Sequence, residues 1–250
     1  MRFLHTLIAA VSLSFVAISA GASPSNPKDG TDYLTLTQPQ QTDSGNKVEV
    51  TEFFSYGCPH CYALDSSLSA WVKKQGDNIV FKRVPVGFHS TWVPLQKLYY
   101  ALDAMGKLDE MQPKVFRAIH EQRMRLDSDE TVINFVASQG IDKARFSDIY
   151  NSFGIQTKVN RAAQLQQEYK VDSVPMVIID GRYVTSPSLA GASLGSRPEP
   201  VLHAAMLQVM DWLVAKSAKG NAPHQASEAK PAAAHPAASK AATAVKKAKH

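Results

Sequence analysis

Cysteine is nearly absent from this chain. Cys58 and Cys61 are the only two in 250 residues, and they lie three positions apart within FFSYGCPHCYAL, residues 53–64. That scarcity argues against a structural zinc site, which needs four ligands and finds no second cysteine pair to complete it. It also makes a structural staple a poor account of the pair, because closing so short a loop is worth roughly 2 kcal/mol against about 4.7 kcal/mol for a loop of about 100 residues. What remains is a dithiol whose purpose is to open and close.

Long apolar runs are missing as well, apart from one at the N-terminus. There Arg2 precedes an apolar stretch from Phe3 to Ile18, followed by the small residues Ala20-Gly21-Ala22. The pattern reads as a cleavable signal peptide over residues 1–22, and an exported chain meets surroundings in which disulfides persist. The core also lacks an excess of either charge. The whole chain carries +5, yet Ser23 to Ser217 has 20 basic and 21 acidic residues, and the surplus belongs to the six lysines of Ala218 to His250. A nucleic-acid-binding core therefore finds no support. Residues 218–250 contain no aromatic residue, and Val245 is their only aliphatic residue larger than alanine. Such a stretch cannot bury enough apolar surface to offset its ordering, and it reads as a disordered Ala/Lys/Pro/His-rich tail.

What is present has clear periodicity. Val48 to Phe54 is rich in β-branched and aromatic residues and reads as a strand, as does Ile79 to Val86. Between them Leu64, Leu68, Trp71 and Val72 recur at helical spacing, ahead of Lys73, Lys74 and a stop at Gly76. Pro59 suits the first turn of that helix, which places Cys58 at its N-terminus. From Thr91 to about Tyr169 the pattern is helical alone, with four apolar stripes that include Leu98, Phe116, Phe135 and Phe146. Asp127 with Glu130 resembles a capping box, and Gly140 followed by Asp142 separates the third and fourth helices. Asp180-Gly181 within MVIIDGRYV predicts a hairpin turn. A last helix is predicted over roughly Glu199 to Ser217, with Val201, Ala205, Val209 and Trp212 facing inward.

A strand, Cys58-Pro59-His60-Cys61 opening a helix, and Val174-Pro175 just before a hairpin together resemble the thioredoxin fold. The 117 residues from Cys58 to Pro175 are far more than plain thioredoxin needs. A helical domain inserted there is similar to the DsbA family of thiol:disulfide interchange proteins. So are Pro59-His60 between the cysteines, EFFSYG before them and SVP at Ser173 to Pro175. The resemblance spans about Asp32 to Ser217 and implies an α/β thioredoxin fold with an inserted all-helical domain. Its first part would be residues 23–90 with an N-terminal extension, the insertion 91–169 and the second part 170–217. The tail belongs to no family pattern.

The chemistry at Cys58 follows from its position. Partial positive charge at a helix N-terminus stabilises an anion, so this thiol should lose its proton more readily than a free cysteine and act as nucleophile. Cys61, a turn further in, would be the resolving cysteine. His60 either supports the sulfur by hydrogen bond or charge, or is merely exposed. Alternation puts Glu52 in a row with Val48, Val50 and Phe54. It is either a buried carboxylate that can take or hold a proton near the dithiol, as the resemblance implies, or a strand-edge residue reaching solvent. For Pro175 sequence alone favours a trans bond. The resemblance implies cis, with the backbone at Val174 and Pro175 left to pair with an extended substrate.

By resemblance the protein is a periplasmic oxidase that donates its Cys58–Cys61 disulfide to reduced exported polypeptides. A quinone-linked inner-membrane partner of the DsbB type would reoxidise it. It would use no metal or organic cofactor and act as a monomer. The alternatives are an isomerase or reductase, or a peptide-binding chaperone of the same fold. Isomerases of this kind carry an N-terminal dimerisation domain, for which Ser23 to Lys47 is too short, and a pure binding module has no need of Cys61. The resemblance also implies a Cys58 pKa so low that the disulfide destabilises the fold. The break-even lies about 1.5 pH units below ambient, where thiolate stabilisation equals the roughly 2 kcal/mol of loop closure.

Overall fold

The computed structural model describes residues 26–221. The expected signal peptide and nearly all of the expected tail lie outside them. Two strands and a helix form the first unit: β2 (Val48–Phe54), α1 (Pro59–Gln75) and β3 (Ile79–Pro85), with β2 and β3 parallel. Five helices follow, α2 (Val93–Ala104), α3 (Leu108–His120), α4 (Asp129–Ser138), α5 (Lys143–Tyr150) and α6 (Phe153–Glu168). The chain then returns as the hairpin β4 (Met176–Ile179) and β5 (Tyr183–Thr185), a short helix α7 (Pro187–Ala190), and the long α8 (Glu199–Asn221). A two-residue edge strand, β1 (Leu34–Thr35), completes a five-stranded sheet of order β1-β5-β4-β2-β3. Asp180 and Gly181 both adopt positive φ in the hairpin turn. Glycine is required at the second position, because a Cβ there would come within 2.2 Å of the Gln40 carbonyl oxygen.

The sheet is covered on both faces. Val50, Val177 and Ile179 pack with Leu64 and Leu68 of α1 and with Val209 and Leu213 of α8. On the other face Phe53, Val84 and Ile178 meet Ala162 of α6 and Tyr169. All seven residues of β2 are therefore buried, which is the signature of a central strand. A third cluster joins Phe54, Tyr56 and both cysteines to the helical block through Leu98, Phe116 and Tyr150.

Several sequence expectations need correction. The helical block holds five helices where four stripes are legible. The fifth, α6, buries only Ile155, Val159 and Ala162, a pattern too sparse and too small to stand out. The cap of α4 is Ser128 paired with Thr131, because Asp127 is engaged by Arg125 at 2.6 Å. In α8 Val201 is exposed and Trp212 only half-buried. The inner face runs through Ala205, Met206, Val209, Met210 and Leu213, and the two methionines shift its centre. That helix continues to Asn221, past the expected boundary at Ser217, which is itself buried.

Candidate active site

Strand β2 delivers its last residues to a tight turn, Ser55 to Gly57, that feeds α1. Gly57 lies under the indole of Trp92, and a Cβ there would come within 2.6 Å of its Nε1. Cys58 is the N-cap residue with extended backbone, and Pro59 occupies the first helical turn. Cys61 begins the buried stripe that continues through Leu64, Leu68 and Trp71, so the helix that anchors the fold also sinks the second sulfur. Both thiols are free; Cys58 is 6% exposed and Cys61 fully buried.

The two sulfurs differ sharply in acidity. A hydrogen bond from the Cys61 thiol, together with the backbone N–H groups of Cys61 and His60 and the charge of His60, overcomes burial and lowers the Cys58 pKa to about 6. Burial first, then its role as donor to Cys58, pushes Cys61 well above the ordinary thiol range. A folded pKa of about 6 contributes about 1.4 kcal/mol to the reduced fold at pH 7. Loop closure is worth roughly 2 kcal/mol, which is of the same order. Unfolding of the oxidised and reduced forms at pH 7 decides which contribution is the larger.

His60 is largely exposed, with its ring Nδ1 2.7 Å from Glu199 Oε1 at the start of α8. That carboxylate raises the His60 pKa, so His60 reaches Cys58 through its charge and its backbone N–H. On the other side of the dithiol, Glu52 is 2% exposed within the sheet interior, so the strand-edge alternative does not apply. The parallel register sets it opposite Arg83 of β3, whose Nε donates to Glu52 Oε2 at 2.6 Å. The same guanidinium binds Asp65 of α1 at 2.9 Å. Gln112 of α3 donates to Asp65 at 3.2 Å and accepts from the Tyr56 hydroxyl at 2.6 Å. Burial pushes the Glu52 carboxyl up, and Arg83 opposes that. The charge of Glu52 is one of the influences that keep Cys61 protonated.

The Val174–Pro175 bond is cis. The Cys58 thiol donates to the Val174 carbonyl at 3.4 Å, which brings together residues 116 apart in sequence. A groove of about 320 Å³ runs from there, lined by His60, Val174, Pro175, Arg197, Glu199 and Leu202 among others. The structure thus gathers Cys58, Pro59, His60, Cys61, Val174 and Pro175 around one sulfur, with Glu52 behind. Nothing in the sequence reading singles out Arg83, Asp65 or Glu199. Arg83 lies on the other predicted strand, but its pairing with Glu52 depends on register, which periodicity does not specify. No local signal marks Glu199.

Known proteins resemble the chain in sequence and in fold. Residues 49–206 match the family model described as a DSBA-like thioredoxin domain. The chain is 42% identical over 214 residues to a thiol:disulfide interchange protein DsbA of Burkholderia cepacia, covering 85% of this chain and 95% of that one. It is 38% identical over 213 residues to the protein of the same name from Bordetella pertussis, covering 85% and 96%. The crystal structure of Pseudomonas aeruginosa DsbA superposes with a TM-score of 0.69 at 31% identity, over 76% of this chain and 94% of that one.

Proposed function

The chain belongs to the DsbA-like thioredoxin family and is a thiol:disulfide oxidoreductase, and from that premise we propose that it works as an oxidase of exported polypeptides. A substrate thiolate attacks Cys58 Sγ of the oxidised protein. The Cys58–Cys61 bond breaks, a mixed disulfide forms at Cys58, and Cys61 leaves and takes a proton. A second substrate thiolate then attacks the substrate sulfur of the mixed disulfide and expels Cys58 as a thiolate. The substrate loses two electrons and gains a disulfide; the protein gains both electrons and becomes the dithiol. The observation that carries this direction is the contrast in acidity, since a sulfur with a pKa of about 6 is the better leaving group in the second step.

Each neighbour has a part. The N-terminus of α1, begun by Pro59 and bearing His60, stabilises the Cys58 thiolate. Glu52 accepts and returns the proton of Cys61. Val174 and Pro175 present backbone to an extended substrate in the groove. We assign residues 23–90 and 170–217 to the thioredoxin-like part and 91–169 to the insertion. Export by a signal peptide over 1–22 places the protein in the periplasm as a monomer. A quinone-linked inner-membrane partner of the DsbB type reoxidises it, and no metal or organic cofactor takes part.

The test is equilibration with glutathione, alongside oxidation of a reduced peptide carrying two cysteines. An oxidase transfers its disulfide to the peptide stoichiometrically, is itself reduced by modest glutathione, and loses the activity in Cys58→Ala. A protein that stays oxidised in glutathione and instead reduces insulin disulfides is a reductase. One whose peptide binding and protection from aggregation survive Cys58→Ala, with no transfer by the wild type, is a chaperone.

A further inference from the structure

The first residue of α8 stands at the active site although 139 residues separate it from His60. We propose that Glu199 is a positioning residue for the dithiol: by holding the His60 ring in one place and in its charged form, it increases the oxidising strength of the Cys58–Cys61 pair. The inference rests on the oxidase reading and adds to it a residue that acts through His60.

Three features of the geometry carry this. His60 has a side chain 67% exposed, so without a partner its ring would be free to rotate and about a quarter protonated at pH 7. At 2.7 Å, Glu199 Oε1 accepts a charge-assisted hydrogen bond from the Nδ1–H of His60, which fixes the ring and favours the imidazolium. A second imidazole lies behind the carboxylate. His203, one turn further along α8, is buried, and its Nε2 lies 3.6 Å from the same oxygen with no hydrogen-bond partner among the described residues. Burial keeps His203 on the neutral side against the pull of Glu199, and the charge of His60 adds to burial. One imidazole therefore holds the charge while the other walls in the carboxylate. Arg197 lines the same groove from the segment before α8, and Cys58 faces His60 from the N-cap of α1.

Two effects of Glu199 on the sulfur oppose each other, and their signs separate them. Acting directly through space, a carboxylate would disfavour the Cys58 thiolate. Acting through His60, it favours the thiolate, because the imidazolium is the group whose charge Cys58 feels. The second effect is expected to prevail.

The experiment is Glu199→Gln in the full-length reduced protein, read by the ultraviolet absorbance of the thiolate against pH, by NMR titration of His60 and by equilibration with glutathione. The His60 midpoint should fall. The Cys58 midpoint should rise by about half a unit to one unit, and the glutathione equilibrium should shift toward the protein disulfide about threefold to tenfold. In a His60→Ala background the same substitution should no longer raise the Cys58 midpoint; only the direct effect of the carboxylate remains, and its loss leaves the midpoint in place or lowers it slightly. A Cys58 midpoint that falls or stays unchanged in Glu199→Gln overturns the proposal, as does an equal rise with and without His60. A purely structural role would move the melting temperature of both redox forms and leave the midpoint in place. Failure of the wild-type protein to oxidise glutathione would sink the oxidase reading instead, and the thiolate titrations would still decide the role of Glu199.

Discussion

Two regions meet at the dithiol, and they treat the same atom type in opposite ways. On the groove side Cys58 sits at a helix N-terminus, beside backbone N–H groups, an imidazole and the Val174 carbonyl. On the interior side Cys61 lies in an apolar stripe, backed by the Glu52–Arg83–Asp65 network. Two residues of helix separate a sulfur with a pKa of about 6 from one held protonated. The lesson is that a helix start supplies the first part of the asymmetry, which distant residues then adjust: one end of its first turn offers hydrogen-bond donors, and the other end is already core.

Removing either sulfur breaks the contrast outright. Cys58→Ala should abolish exchange altogether. Cys61→Ala should leave a nucleophile that attacks disulfides and then stalls as a stable mixed disulfide, which mass spectrometry under non-reducing conditions would detect. Rapid release of that adduct would mean that Cys61 is not the resolving thiol.

The interior side can be broken next. Arg83→Ala leaves Glu52 buried without its partner, and the expected loss is about 3–5 kcal/mol in denaturant unfolding of the oxidised protein. Adding Glu52→Gln to that variant should recover a good part of the loss. A single-variant loss below about 1 kcal/mol would show that the carboxyl is already neutral in the folded protein.

A smaller effect sharpens the groove side. Because the folded pKa of Cys58 is depressed, its contribution to the reduced fold is fully present above the unfolded value of ~8.5 and is lost as pH falls through about 6. Relative to the oxidised form, the reduced form should gain about 3 kcal/mol between pH 6 and 8.5 and overtake it above about pH 7.5, where the gain exceeds the roughly 2 kcal/mol of loop closure. Unfolding of both redox forms across that range would measure it, and a flat difference would remove the thiolate from the explanation.

How legible this was in the sequence depended on distance along the chain. The strand, the Pro59 start and the stripe from Leu64 to Trp71 follow from local pattern, and so does the turn at Asp180-Gly181. Glu52 stood out because a charge in an apolar row is rare, but its partner Arg83 depends on strand register, which periodicity does not specify. Helix α6 was hidden because Ala162 is too small to register as a core residue, although it covers one face of the sheet. The Glu199–His60 pair comes from the packing of α8 against α1, and no pattern near either residue reports it.

Limited alkylation of the reduced protein across pH, with mass mapping of the modified residue, tests the central contrast most directly. Cys58 should react first, with a midpoint near pH 6, while Cys61 stays unmodified in the folded protein. Modification of Cys61 first, or a Cys58 midpoint near the ~8.5 of a free thiol, would contradict it.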